Sequence, residues 1–265
     1  MVGMKNHAHR IAGFCLGPAQ QVHIQVVEET GSTNADLLAR VGSLQSPVLL
    51  IAERQTAGRG RAGRTWLSAP GASLTFSLAW KFALPLQSMV GLPLAVGVAL
   101  AEALAELGVG VRLKWPNDVL HEGGKLAGIL IETAGVDGDT QSCWAVIGIG
   151  INLMLDPEMA AQIGRPVAHV PQLTERDRDE LMAALLNALA QAAVLFERQG
   201  FGAFAERWNG LHAYAGQPVF ILDQGKVLHE GAAIGVDGSG RFLLDTSAGR
   251  TAVMAGDVSL RVREA

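Results

Sequence analysis

Apolar positions in the first 155 residues come in short runs separated by Gly, Pro, Ser and Asn. The runs over 22–27, 48–53 and 73–80 are too short for helices and are bounded by turn residues, so they predict strands. The run over 73–80 is expected to be the antiparallel neighbour of 48–53. Further strands are predicted over 111–114, 125–132 and 145–153. Helical spacing over 35–41 follows Ser32-Thr33-Asn34, whose side chains can accept from the first free amides of a helix. A helix start also turns donors toward a ligand, so capping and binding are compatible there. The run over 92–107 is apolar nearly all round, which predicts a buried helix. Glu102, Glu106 and Pro93 interrupt its surroundings, which favours a core helix over a membrane span. Gly148 and Gly150, two apart on one predicted strand, share a face and imply close approach by another element or a ligand.

Beyond a proline-punctuated loop over 156–173, an amphipathic helix is expected over 174–198, with Thr174 and Asp177 as capping partners, and another over 200–212. From 216 the pattern changes to five short strands, over 218–222, 226–236, 241–245, 251–254 and 258–262. Tight turns at Asp223-Gln224-Gly225, Asp237-Gly238 and Ala248-Gly249 join them, which argues for a small barrel. Residues before 22 carry little pattern. The expected class is α+β: a mixed sheet with helices mainly on one face, then a small barrel. Three segments are expected: an extension over 1–21, a larger domain over 22–215, and a small domain over 216–265.

Composition changes this picture little. A chain with 49% hydrophobic and 17% charged residues has the balance of a folded protein. The net charge of −4 supplies no basic field to recruit nucleic acid. Cys15 and Cys143 lack metal or redox spacing and fit a reducing cytoplasm, and no secretory signal opens the sequence. A cytoplasmic location is expected, with no membrane partner.

Candidate chemistry sits in polar insertions between apolar runs. Residues 55–66, QTAGRGRAGRTW, place Arg59, Arg61 and Arg64 among Gly58, Gly60 and Gly63. Glycines let such a loop bend and arginines present forked donors, which suits closure over an anion. A solvated charged loop has the same composition, and the stretch by itself leaves both readings open. Its G-x-G-x-x-G spacing is not a dinucleotide fingerprint, because Pro70-Gly71 and a strand follow where a helix would have to begin. Lys114-Trp115-Pro116-Asn117-Asp118 ends a strand with a cation and a carboxylate, or forms a turn in which Asn117 and Asp118 bond their own backbone. Lys125, if it faces inward, requires an anionic partner; at a strand edge it reaches water instead. Together Arg59, Arg61, Lys114 and Lys125, with Asp118, suit the stabilisation of negative charge on transferring phosphates, with Mg²⁺ held mainly by phosphate oxygens. No nucleophile motif is present.

Thr33-Asn34 after a strand, QTAGRGRAGRTW, KWPND, KLAGILIE and GIGIN occur in an order and spacing that resembles the bacterial biotin protein ligases. The stretch Gly256-Asp257-Val258-Ser259-Leu260-Arg261 resembles that family's SH3-like C-terminal domain. The resemblance implies the class II synthetase-like fold. It also implies ATP-dependent conversion of biotin to biotinyl-5′-AMP, then transfer to a lysine of a biotin carboxyl carrier domain, such as that of acetyl-CoA carboxylase. Carried over, Ser32, Thr33, Asn34 and Gln55 would line the biotin site, and Arg59, Gly60 and Arg61 would close over biotin and phosphate. Lys125 would bind the oxygens where the new bond forms. Trp66 would cover the adenine, with Asn117 and Asn152 on the nucleotide side and Lys114 near the phosphates. Asp118 would hold Mg²⁺ or orient the acceptor lysine.

Two departures stand out. Ala62 occupies a position where familiar members carry arginine, and the short stretch before Val22 replaces the winged helix of members that repress transcription. The expectation is a ligase that does not bind DNA, with self-association through the sheet open. The rivals are a lipoate or octanoate enzyme of the same superfamily, and a non-catalytic nucleic-acid-binding protein that uses the arginine loop.

Overall fold

The computed structural model describes residues 2–155, 161–162, 166–256 and 258–263, with side chains from residue 7 onward. Parts of the loop read over 156–173 and Asp257 of the C-terminal motif lie outside the described residues.

Among the described residues the strands are β1 (His23–Thr30), β2 (Val48–Gln55), β3 (Ser73–Phe82), β4 (Arg112–Lys114), β5 (Asp118–His121), β6 (Gly124–Val136), β7 (Asp139–Asn152), β8 (Pro218–Asp223), β9 (Lys226–Val236), β10 (Phe242–Thr246), β11 (Gly249–Val253) and β12 (Val258–Val262). The helices that accompany them include α1 (Val2–Phe14), α2 (Thr33–Arg40), α3 (Leu92–Glu106), α4 (Arg178–Gln199) and α5 (Gly202–Gly210).

The first seven strands form one sheet in the order β1-β2-β3-β7-β6-β5-β4. Among the described strand pairs of this sheet β1 and β2 alone run parallel, and β3 pairs antiparallel with β2 as expected. The sheet is therefore mixed. Helix α3 is apolar all round because it lies in the middle of the helical layer, between the sheet and α4 and α5. Its buried residues, among them Leu94, Val98 and Leu104, join Leu113, Ile129, Ile149, Leu185 and Phe196 in the main core. Full burial of such side chains contributes about 1.5–3 kcal/mol each.

The opposite face of the sheet is dressed differently. Leu37 of α2 and Val41, just beyond it, pack there against Leu50, Ala79, Trp144 and Val146. The rest of that face is kept low by glycine. Cross-strand register lines up Ser77, Gly148 and Leu130 in one row, and Thr75, Gly150, Gly128 and Asp118 in the next. Those rows form the floor of the cleft.

The predicted C-terminal strands are all present and pair in the order β11-β10-β9-β8-β12. The barrel, however, is not closed: β11 and β12 remain the two edges of a curled sheet. Register shifts between Ile221 and Leu222 and between Leu243 and Leu244 bend the strands, and β12 lies beside β8 instead of closing onto β11. The junction with the larger sheet is aromatic. Phe242 packs on Trp115 (5.3 Å between ring centroids) and on His212 (5.4 Å). The Asn209 side chain pairs with the Val236 backbone as a strand would, accepting its N–H at 2.8 Å and donating to its carbonyl at 3.1 Å.

Three local expectations are corrected. Residues 2–14 form α1, whose Arg10 pairs with Asp177 and Asp179 at the start of α4, and whose His7 lies 2.9 Å from Asp179. Helix α4 starts at Arg178, capped by Asp177 alone; Thr174 donates to the Pro171 carbonyl three residues earlier. After the Trp115-Pro116-Asn117 turn the chain re-enters the sheet at once as β5, which the turn residues concealed.

Candidate active site

The cleft lies over the glycine rows and counts about 910 Å³ with the open solvent at its mouth. Its walls are the start of α2, the arginine loop, the 114–118 turn, the first half of β6 and, from the small domain, Val258–Arg261.

At one end hydroxyl and amide groups converge. Ser32 is the N-cap of α2 and accepts from the Ala35 N–H at 3.4 Å. The next amide, Thr33 N–H, is satisfied instead by the Gln55 side-chain oxygen at 2.8 Å. The Thr33 hydroxyl is 2.6 Å from the Ser77 hydroxyl, which donates to Asn34 Oδ1 at 2.6 Å. Thr33, Asn34 and Ser77 are almost wholly buried. Capping and site-lining thus coincide in Ser32-Thr33-Asn34.

The arginine loop is ordered by its own backbone. Gly60 N–H donates to the Arg64 carbonyl at 2.7 Å and Trp66 N–H to the Gly58 carbonyl at 2.9 Å, which makes a small hairpin. Its tip reverses through Ala62 (φ 53°) and Gly63 (φ 70°), both left-handed. No helix follows, so the dinucleotide reading fails structurally as well. Arg59 makes two bonds to the Glu132 carboxylate, at 2.8 and 3.0 Å. Arg61 donates to Asn117 Oδ1 at 3.1 Å and to the Gly256 carbonyl. The loop therefore lies closed, tied to β6, to the 114–118 turn and to the small domain.

Trp66 folds back onto the glycine floor. A Cβ at Gly150 would come within 2.6 Å of its indole nitrogen, and one at Gly128 within 3.2 Å of its ring. That indole N–H is buried and has no hydrogen-bond partner. Trp66 and Lys125 wall both this cleft and a second, shallower one that also touches Asn152.

Lys125 forms an ion pair with Asp118, both side chains being less than one-fifth exposed, and its ammonium lies 5.7 Å from the Trp66 ring centroid. The inward-facing alternative for Lys125 is thus the observed one. Lys114 lines the cleft with its ammonium 5.9 Å from the Tyr214 ring centroid. Burial pushes the Tyr214 phenol up, with a further push from the Asp118 charge. Among the described residues no three His, Cys, Asp or Glu side chains converge as a metal cage.

Two predicted site residues are placed in supporting positions. Asn117 bonds Arg61 through its oxygen and the Ile129 carbonyl through its nitrogen, at 2.7 Å. Asn152 donates to the Lys125 and Ala168 carbonyls at 3.2 and 3.3 Å, which fixes the backbone under Lys125. Sequence reading missed Ser77, Glu132 and the wall formed by β12. Alternating hydroxyls at Ser73, Thr75 and Ser77 in the run 73–80 were the signal for Ser77.

Residues 24–152 match the Biotin/lipoate A/B protein ligase family, and residues 214–261 match the biotin protein ligase C-terminal domain. The chain is 36% identical to the bifunctional ligase/repressor BirA of Escherichia coli, over 94% of this chain and 77% of that protein. It is 36% identical to a biotin–[acetyl-CoA-carboxylase] ligase of Mycobacterium tuberculosis, over 89% and 88% of the two chains. This chain belongs to the biotin protein ligase family. The Aquifex aeolicus biotin protein ligase, solved in complex with biotin and ATP, superposes with a TM-score of 0.76 at 30% identity, covering 91% of this chain and 99% of that one.

As a member of the biotin protein ligases, the chain gathers the residues Ser32, Thr33, Asn34, Gln55, Arg59, Gly60, Arg61, Trp66, Lys114, Asn117, Asp118 and Lys125 around one cleft. Asn152 stands on the far side of Lys125.

Proposed function

We propose that this cleft activates biotin with ATP and passes the biotinyl group to a lysine of a carrier domain. A biotin carboxyl carrier domain, such as that of acetyl-CoA carboxylase, is the proposed acceptor. The observation that carries the reading is the pairing of a buried hydroxyl–amide end with a cationic end in one glycine-floored cleft. The uncharged end, Thr33, Ser77, Asn34 and Gln55, suits the urea-like ring of biotin. The cationic end, Arg61 and Lys125, suits its carboxylate and the α-phosphate of ATP.

In the first step a biotin carboxylate oxygen attacks the α-phosphorus, the bond to the bridging oxygen breaks, and pyrophosphate leaves. Two anions must meet, so Arg61 and Lys125 offset their repulsion, and the closed loop keeps water from the mixed anhydride. In the second step the neutral acceptor amine attacks the biotinyl carbonyl carbon and AMP leaves, taking the electrons of the acyl–oxygen bond. The amine's extra proton goes to solvent or to Asp118. Lys114 reaches the same phosphates from the 114–118 turn, and Trp66 offers a stacking face to adenine.

The donor set fits Mg²⁺ held mainly by phosphate oxygens, with Asp118 as its one carboxylate in the cleft wall. When bound, the ion neutralises triphosphate charge. A cytoplasmic location and self-association of copies through an open edge of the sheet complete the proposal.

The test is pyrophosphate release and carrier biotinylation with ATP, Mg²⁺ and biotin, with lipoate and octanoate in parallel. Biotin-dependent transfer that is lost in Lys125→Ala and Arg61→Ala is expected. Turnover with lipoate alone would move the substrate, and no turnover with any acid would remove the enzymatic reading.

A further inference from the structure

We infer that Glu132 is a positioning residue that fixes the donor–acceptor polarity of the biotin pocket and couples it to the arginine loop. The inference rests on the biotin reading above. Glu132 is half-buried on β6, one row beyond Leu130, and does not line the cleft over the glycine floor. Its carboxylate nevertheless joins two of that cleft's walls. One oxygen accepts from Asn34 Nδ2 at 2.8 Å and from Arg59 Nη2 at 2.8 Å, and the other accepts from Arg59 at 3.0 Å.

The consequence runs inward through hydrogens. Asn34 Nδ2 also donates to the Leu130 carbonyl at 3.2 Å, so both amide protons point at oxygens that can only accept. The reversed amide would set Oδ1 against a carboxylate and a carbonyl, so Glu132 fixes which way Asn34 faces. Asn34 Oδ1 must then accept, and it takes the single hydroxyl proton of Ser77. Ser77 has no second proton, so across the 2.6 Å contact Thr33 is the donor. The Thr33 hydroxyl also lies 3.2 Å from Gln55 Oε1, but its one proton is held by the shorter contact to Ser77, and Gln55 Oε1 is satisfied by the Thr33 backbone N–H. The Thr33 hydroxyl, at the buried end of the pocket, is thereby an acceptor. It suits the N–H edge of a cyclic urea and leaves a ring lacking that N–H unsatisfied. Gly148 permits the arrangement, because a Cβ there would lie 2.8 Å from the Asn34 amide carbon.

Glu132→Gln tests this without changing size. Its amide can offer Asn34 or Arg59 only one acceptor oxygen, and Asn34 becomes free to reverse. In biotin-dependent ATP–pyrophosphate exchange the KM for biotin is expected to rise tenfold or more, while the KM for ATP and kcat change less than threefold. The decisive readout is a double-mutant cycle in biotin affinity with Ser77→Ala, a residue that Glu132 does not touch. Because both changes remove the same polarity, the pair should cost little more than the worse single variant. Arg59→Gln, which breaks the loop link and leaves the bond from Asn34 to Glu132 in place, should instead add to Ser77→Ala. An unchanged biotin KM in Glu132→Gln, or full additivity with Ser77→Ala, would overturn the inference. Loss of kcat, both KM values and thermal stability together would reduce Glu132 to a structural role and overturn it too. A wild-type chain with no biotin-dependent exchange would fail the underlying reading, which is a different result from a wild type that exchanges and a variant that matches it.

Discussion

The Asn34 amide occupies the space that a side chain at Gly148 would need: the amide carbon stands 2.8 Å from where a Cβ would be. Floor and wall of the cleft are therefore one fitted pair. Gly148→Ala is expected to displace Asn34 and weaken biotin binding by more than a hundredfold. The strain should cost about 1–3 kcal/mol of stability. Calorimetric titration with biotin beside a thermal melt checks both numbers, and unchanged affinity would show that Asn34 does not shape the pocket.

The Lys125–Asp118 pair makes separable demands on the reaction. Lys125→Ala should reduce pyrophosphate exchange by about 10²–10³, the range seen when one charge-stabilising donor is removed. Asp118→Asn should slow transfer from preformed adenylate more than it shifts the Mg²⁺ midpoint of exchange. A large shift in that midpoint would instead assign Asp118 chiefly to the metal.

His212 supplies a pH prediction. Burial against Trp208 and Phe242, with neither ring nitrogen hydrogen-bonded, pushes its pKa down from 6.5 to about 4. The folded state thus binds this proton less readily than the unfolded chain. Its contribution is complete above about pH 6.5 and declines as pH falls toward 4, by up to roughly 3 kcal/mol. In His212→Phe the slope of melting temperature against pH over that window should flatten; an unaltered slope would place the acid sensitivity elsewhere.

Asn209 clamps the small domain to α5 through both polar atoms of Val236. Asn209→Ala leaves two backbone groups unpaired and should cost about 2–4 kcal/mol. Urea unfolding measures this directly. A loss below 0.5 kcal/mol, on the order of a surface substitution, would mean water replaces the side chain.

Most of the sheet was legible because its strands are short apolar runs cut by turn residues, and the helices α3 and α4 because their spacing is sustained. The cationic side chains were legible because Arg61 and Lys125 interrupt apolar surroundings. What escaped reading depends on contacts remote in sequence. Residues 2–14 lack a capping signature, and α1 is held by ion pairs to Asp177 and Asp179, about 170 positions away. Strand β5 has four residues beside a turn, so its pairing with β4 and β6 outweighs its local pattern. Glu132 and Ser77 look ordinary in their own strands; only cross-strand register brings them to the same amide. Closure of the small barrel was expected from short strands and tight turns, and bulges within β8–β10 set the curl instead.

The bond from Arg61 to the Gly256 carbonyl, with Val258–Arg261 in the cleft wall, spans 195 positions of chain. Ribosomes deliver proteins from the N-terminus onward, so the arginine loop, Lys125 and the pocket floor all emerge well before the segment that completes their enclosure. A nascent copy therefore cannot close its site until the small domain has been made. Termination between Lys125 and Gly256 would yield a product with the pocket floor and an open, water-exposed reaction chamber.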